Sequence, residues 1–254
     1  MSTKRRSSIK VSGKVLYLTE DPKLLEAQLQ GQALAFDEGK HALVNNISTD
    51  ELTPGWVCYY YDETLARYCL VGLRGGVVQR DAIKNGGFGV IVSGRSKGCG
   101  SSRETAPYSE REAGIQIVVA KSIEKIYGQN CQNIGLLTTT DFGVLDRVAR
   151  GEEIPISEFT KGLDRISADV VEHGGLFVAT YAKVPPMGSP VSLHVVLPGG
   201  YEFEAMAVVA WTRENGTSDA PPGFGARFTQ ITTEARQLIY RYVRNREPLF
   251  HDDF

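Results

Sequence analysis

Ser101, Ser102 and Arg103 stand at the end of the glycine-rich run Gly94-Arg95-Ser96-Lys97-Gly98-Cys99-Gly100, just before Glu104-Thr105-Ala106-Pro107. Glycines at 94, 98 and 100 let a backbone come close to a ligand. The two hydroxyls supply donors and acceptors, and the guanidinium supplies a planar fork suited to a carboxylate or phosphate. The run follows the apolar, β-branched stretch Phe88-Gly89-Val90-Ile91-Val92 and precedes a helix-like segment ending at Gly114. It therefore reads as strand, glycine loop and helix entrance, and a helix entrance adds unpaired N–H groups that favour an anion. The chemistry is oxyanion binding. The same residues also describe a plainer object: a tight turn with serine as helix cap and Arg103 solvated or paired to Glu104.

Other reactive side chains are scattered. The four cysteines, at 58, 69, 99 and 131, show no C-x-x-C spacing, and the histidines at 41, 173, 194 and 251 do not cluster with them. That spacing argues against a zinc or iron–sulfur site made by this chain, so no metal ligands are assigned. Cys99, near a helix N-terminus, reads either as a thiol of lowered pKa or as a small loop residue. His173 and His194 read as ordinary surface or core residues, and Trp211 as core.

The elements that position the loop follow from periodicity. Val15-Leu16-Tyr17-Leu18 reads as a short strand, 21–30 as a helix, and Ile115-Gln116-Ile117-Val118-Val119-Ala120 as a second buried strand. Helices are expected over 122–133, ending at Gly135, and over 141–150 with Asp141 as cap and Gly151 beyond the end. Val57-Cys58-Tyr59-Tyr60-Tyr61 is rich in strand formers, although its aromatics also suit a loop packed on a sheet. Residues 1–12, with Lys4, Arg5, Arg6 and Lys10, read as a flexible tail. From Gly174 onward the texture is short strands separated by Pro-Gly turns, then a helix from Thr233 with Ala235, Leu238, Ile239, Tyr242 and Val243 on one stripe.

A chain of 254 residues with 42% apolar and 23% charged residues can build a core and divide into two domains. A net charge of −2 gives no general attraction to nucleic acid or an anionic membrane. No apolar run approaches the roughly 20 residues that span a bilayer, and no signal-peptide h-region is present, so a cytoplasmic protein is expected.

Gly98-Cys99-Gly100-Ser101-Ser102-Arg103-Glu104 with Ala106-Pro107 resembles the signature of the aconitase and isopropylmalate isomerase small subunit, the swivelling domain of that family. Asn46-Ile47-Ser48-Thr49-Asp50-Glu51-Leu52-Thr53-Pro54 looks like its Thr-Asp segment. Ala113-Gly114-Ile115, then Val119 through Tyr127, Asn130, Asn133 and Gly135-Leu136-Leu137, look like its following strand and helix. The resemblance covers roughly residues 40–157 and departs at Thr105, where the family has His. It implies a hydro-lyase of the 3-isopropylmalate dehydratase or aconitase type. Ser101 would be the base, and Ser102 and Arg103 would hold a carboxylate of a di- or tricarboxylic hydroxyacid. The [4Fe-4S] cluster would come from a partner large subunit.

The second half resembles the PilZ domain, the small bacterial barrel that usually binds cyclic di-GMP. The likeness rests on Gly174-Gly175-Leu176-Phe177-Val178, the Pro-x-Gly-x-x-Val from Pro186, the strand Glu204 to Trp211 and Gly223-x-Gly225-x-Arg227-Phe228. Arg165, Asp169, Gly174 and Gly175 occupy the entrance where that family grips its nucleotide. However, Val171 stands where the motif has Ser, and no R-x-x-x-R precedes it, which implies weak nucleotide binding or none. The fold expected is an α/β swivelling β/β/α domain over 13–157, a linker over 158–173, and a small antiparallel β-barrel with a C-terminal helix over 174–246. The alternative function is a non-catalytic signalling or interaction protein related to cyclic di-GMP sensing, with a degenerate nucleotide motif, whose barrel binds the nucleotide weakly or docks a protein partner.

Overall fold

Four short apolar segments build the central sheet of the computed structural model, which describes residues 7–60, 63–101, 103–163, 168, 171, 176–180, 183–197, 200–214, 222–232, 234, 235 and 238. Strands β2 (Lys14–Tyr17), β3 (Phe88–Ser93), β4 (Ile117–Ala120) and β5 (Leu137–Thr139) lie side by side in that order, all parallel. Parallel neighbours need long crossovers. Helices α1 (Pro22–Leu29), α2 (Thr49–Leu52) and α3 (Ala82–Gly86) lie between β2 and β3, α4 (Thr105–Glu112) between β3 and β4, and α5 (Lys125–Ile134) between β4 and β5. Helix α6 (Gly143–Ala149) follows β5; its cap position is Phe142, while the Asp141 carboxylate accepts from the Gly143 N–H at 2.8 Å.

Every residue of β3 is buried, because the sheet is covered on both faces. Alternation divides its side chains. Ile91 and Val118 join Leu16, Leu25, Ile115 and Tyr127 in one core, while Val90, Val92, Ile117 and Val119 join Ile9, Ile154, Ile156 and Val171 in the other. Full burial of each such aliphatic side chain contributes about 1.5–3 kcal/mol.

The second core changes the reading of the N-terminus. Within the segment expected to be a tail, β1 (Ser8–Lys10) pairs antiparallel with β6 (Glu153–Pro155), and Ile9 is only 3% exposed. The partner strand is 145 residues away, so no local pattern announces the pairing. The aromatic stretch after Pro54 is a loop rather than a strand: a 3₁₀ turn over Gly55–Val57 buries Val57 and leaves Tyr59 exposed. Trp56 meets Tyr68 edge-on at 5.3 Å, and Tyr60 stacks on Tyr68 at 6.1 Å.

The second half is a four-stranded antiparallel sheet in the order β7 (Leu176–Ala179), β10 (Gly223–Gln230), β9 (Tyr201–Arg213), β8 (Pro190–Leu197). The pairing Leu197↔Tyr201 sets the hairpin expected at the Pro-Gly-Gly turn. Ala207, Val209, Phe224 and Ala226 form its core, and Trp211 is buried as expected. Gly225 faces Trp211 so closely that a Cβ there would lie 1.9 Å from the indole nitrogen. Glu234, Ala235 and Leu238 are on helical backbone, and Ala235 and Leu238 pack against Phe203 and Ala205; the other residues of the expected C-terminal helix lie outside the described residues.

Candidate functional site

The glycine loop leaves β3 and is held by two separate pieces of the chain, the segment around residues 45–47 and Ser122. Asn45 accepts from the Arg95 N–H at 2.7 Å, the Ile47 carbonyl accepts from Gly98 and Cys99 at 2.8 and 3.1 Å, and Ser122 accepts from the Ser96 N–H at 2.8 Å. Gly98 has φ +83°, and a Cβ there would lie 2.2 Å from the Tyr127 ring, so two independent constraints require glycine. Lys97 turns inward. Its ammonium meets the Glu110 carboxylate at 2.8 Å with both side chains fully buried, and the Tyr127 hydroxyl donates to the other Glu110 oxygen. The loop base is thus tied to α4 and α5 through one buried ion pair.

Beyond this base the loop presents its functional groups. Ser101 is exposed, and its carbonyl accepts from the Thr49 hydroxyl at 2.9 Å. Arg103 places its guanidinium fork on Asp50, at 2.6 and 3.0 Å, and also donates to the Thr53 carbonyl at 3.2 Å. The fork is therefore paired with a residue from the Thr-Asp segment rather than with its sequence neighbour Glu104. Ser102 lies outside the described residues, as do Arg165, Asp169, Gly174 and Gly175.

Helix α2 carries both partners of the loop. Its capping box joins Ser48 and Glu51, and Arg74 grips Glu51 with a fork at 2.7 and 2.9 Å while reaching the Asn46 carbonyl at 2.7 Å. Burial pushes the Glu51 carboxyl up, but the Arg74 fork and the Ser48 and Arg74 amides outweigh it, and the pKa is lowered to about 2. Thr105, at the position where the motif has His, is fully buried, with its hydroxyl 3.4 Å from the Cys58 sulfur.

Loop and α5 enclose a pocket of about 220 Å³ lined by Thr49, Cys99, Ser101, Arg103, Lys125 and Tyr127, among others. Arg103, paired with Asp50, and Lys125 give it two cations beside the Glu124 carboxylate, Ser101 gives a hydroxyl, and Ile126, 38% exposed, an apolar wall. This arrangement can orient a small anion that carries a short apolar portion. The lowered pKa that a helix N-terminus would give Cys99 does not hold: burial, with Glu124 nearby, pushes the thiol up. Sequence reasoning assigned no role to Thr49, Asp50, Lys97, Glu110 or Lys125. Asp50 carried the one available signal, an acid beside a threonine in a segment already singled out.

In the antiparallel sheet, His194 sits across from Glu204 at 2.6 Å, and that hydrogen bond holds its pKa above the ordinary value. It remains a surface residue. Among the described residues no three His, Cys, Asp or Glu side chains are grouped to hold a metal, and no helix is long and apolar enough to cross a membrane.

Residues 78–141 match the Aconitase C-terminal domain family, and residues 153–245 match the PilZ domain family. The isopropylmalate/citramalate isomerase small subunit of Methanocaldococcus jannaschii is 32% identical over 147 residues, covering 52% of this chain and 85% of that protein. The 3-isopropylmalate dehydratase small subunit of Caldicellulosiruptor saccharolyticus is 34% identical over 131 residues, covering 51% of this chain and 73% of that protein. A solved structure of 3-isopropylmalate dehydratase from Methanocaldococcus jannaschii aligns at 28% identity with a TM-score of 0.38, covering 52% of this chain and 84% of that one.

Proposed function

Because the chain belongs to the isopropylmalate dehydratase small-subunit family and carries a PilZ domain behind its aconitase-type domain, we propose that it is the swivel subunit of a hydro-lyase acting on a di- or tricarboxylic hydroxyacid. The observation that carries this reading is the convergence of exposed Ser101 and the Arg103 fork on one pocket from a single loop. Arg103, with Ser102, binds a substrate carboxylate, and Ser101 takes the proton at the reacting carbon. A serine hydroxyl is a weak base in water, and its anion is stabilised by nearby backbone donors and a cation. Arg103 is the cation closest in sequence, and substrate entry exchanges its Asp50 partner for the incoming carboxylate or shares it.

A [4Fe-4S] cluster does not fit the thiols of this chain. Cys69 and Cys131 are buried in the core, and among the described residues neither they nor Cys58 and Cys99 belong to any group of three His, Cys, Asp or Glu side chains able to hold a metal. The cluster therefore belongs to a large-subunit partner, and this chain's part is to bind, orient and move a proton. The exposed aromatics Trp56 and Tyr59, in the segment that brings Gly55 to the Arg103 guanidinium, give that partner a docking surface beside the site.

In this reading the swivel unit spans 13–157 with β1 added before it, 158–173 joins the units, and 174–246 closes as a small barrel capped by the C-terminal helix. The whole works in the cytoplasm. The PilZ-type unit serves as a protein-docking module rather than a cyclic di-GMP sensor. Val171, at the position of the motif serine, is 5% exposed and packed with the swivel core.

The test is recovery of the chain from its native host. An iron–sulfur protein should co-purify, and the complex should dehydrate an isopropylmalate-, citrate- or homocitrate-type hydroxyacid. Recovery without such a partner and without dehydratase activity would leave the interaction-protein reading in its place.

A further inference from the structure

We infer that Thr49 is the positioning residue of this site, fixing the turn that presents Ser101; the inference rests on the proposed role of Ser101. Thr49 is 2% exposed and bonds to both ends of the turn. Its N–H donates to the Cys99 carbonyl at 2.9 Å, and its hydroxyl donates to the Ser101 carbonyl at 2.9 Å. Between those two anchors lies Gly100 at φ +97°, a residue with more backbone freedom than any other type. Without the clamp, the least restrained residue of the loop would directly precede the base.

The hydroxyl has one proton, and it is committed to the Ser101 carbonyl. Toward the Ser101 hydroxyl, 3.5 Å away, Thr49 can offer only a lone pair, at a distance too long for much energy. The role of Thr49 is thus geometric: it fixes where the Ser101 oxygen sits and takes no proton from it. The platform beneath is rigid, because Thr49 opens a helix whose capping box is held by the Arg74 fork. The next residue, Asp50, holds Arg103. Two consecutive residues of one helical turn therefore set the separation between the base and the carboxylate fork, and a displacement of about 1 Å at such a site can cost on the order of a hundred-fold in rate.

The decisive measurement is amide hydrogen exchange on the full chain, which needs neither a partner nor turnover. Thr49→Val keeps the shape and removes the donor, so exchange at the amides that root the turn, Cys99 on the Ile47 carbonyl and residue 49 on the Cys99 carbonyl, should quicken about three- to ten-fold, the factor one neutral hydrogen bond supplies, with β3 and β4 unchanged. Thr49→Ser, which keeps the hydroxyl, should restore wild-type protection. If Thr49→Val does not fold, Thr49→Ala removes the same donor and takes its place. Wild-type exchange at the amides of residues 49 and 99 in the folded donor-less variant would overturn the inference, as would equal acceleration in Thr49→Ser. In an assembled enzyme the donor-less variant should lower kcat with little change in KM. A wild-type complex with no dehydratase turnover would count against the function proposed above, while the exchange comparison would still decide the role of Thr49.

Discussion

The Lys97 ammonium and the Glu110 carboxylate meet at 2.8 Å with neither side chain reaching solvent, and this pair is the root of the functional loop. Tyr127 completes it by donating to the free Glu110 oxygen and by lying under Gly98. A buried pair of this kind contributes less to net stability than its geometry implies, because both charges have left water. Its removal in halves is another matter.

Lys97→Met and Glu110→Gln should each destabilise the chain by about 3–5 kcal/mol, since each leaves an uncompensated buried polar or charged group. The double substitution Lys97→Met with Glu110→Gln should cost less than the two single losses added together, because it leaves no unpaired buried charge while the new amide at position 110 still accepts from the Tyr127 hydroxyl. Denaturant titrations of the four proteins form a double-mutant cycle, in which the expected coupling is large and favourable. Additive losses would show that the two residues act separately.

None of this pairing was visible in the sequence, where Lys97 looks like one more polar residue of a glycine loop. What was visible depends on local pattern. Val90, Ile91 and Val92 announce a strand because both faces of β3 are covered, and the glycines announce a loop because Gly98 and Gly100 take positive φ. The partners Lys97–Glu110, Arg103–Asp50 and Ile9–Ile154 are fixed by tertiary packing, which places residues 13, 53 and 145 positions apart in contact. Tyr59 and Tyr60 were misleading in the other direction: their strand propensity describes a pleated, half-buried surface, and here they stand on an exposed loop.

Stability in acid should reflect Glu51. Its folded pKa, about 2, lies below the ordinary carboxylate value, so the folded state holds this proton less tightly than the unfolded chain does. The stabilisation is fully present above the unfolded pKa of about 4.5 and is lost as pH falls from there through about 2. Arg74→Met should flatten this part of the profile, because the fork that depresses the pKa is gone. Denaturation midpoints measured from pH 6 down to pH 2 should therefore converge between variant and wild type at the acid end. Parallel curves would assign the acid sensitivity to other groups.

The roles proposed for Ser101 and Arg103 predict different kinetic signatures in an assembled enzyme. Ser101→Ala should lower kcat by roughly a hundred- to ten-thousand-fold while leaving KM nearly unchanged, as expected for a lost general base. Arg103→Lys keeps the charge but loses the bidentate fork, and should raise KM about ten- to a hundred-fold. Asp50→Asn should strengthen carboxylate binding to the isolated chain by removing the resident counter-ion, measured by calorimetry with citrate. Weaker citrate binding in that variant would show that Asp50 orders the fork more than it competes for it.

The second unit yields a prediction about a ligand it should not hold tightly. A dinucleotide with two phosphates is gripped by arginine forks and hydroxyl donors, each worth roughly 1–3 kcal/mol. At the position of the motif serine this chain has Val171, whose side chain is 5% exposed and packed with Ile9, Ile154 and Ile156. Loss of that serine and of one arginine should weaken cyclic di-GMP binding by about thirty- to twenty-thousand-fold if the costs add. Calorimetric titration of the full chain should accordingly find no tight complex. Val171→Ser should not create one, since it places a hydroxyl in an apolar core at a cost of about 1–3 kcal/mol, and the thermal midpoint should fall instead. Submicromolar binding by the wild-type chain, abolished by Arg165→Ala, would make the PilZ-type unit a sensor and Val171 a residue that leaves the swivel core when the nucleotide binds.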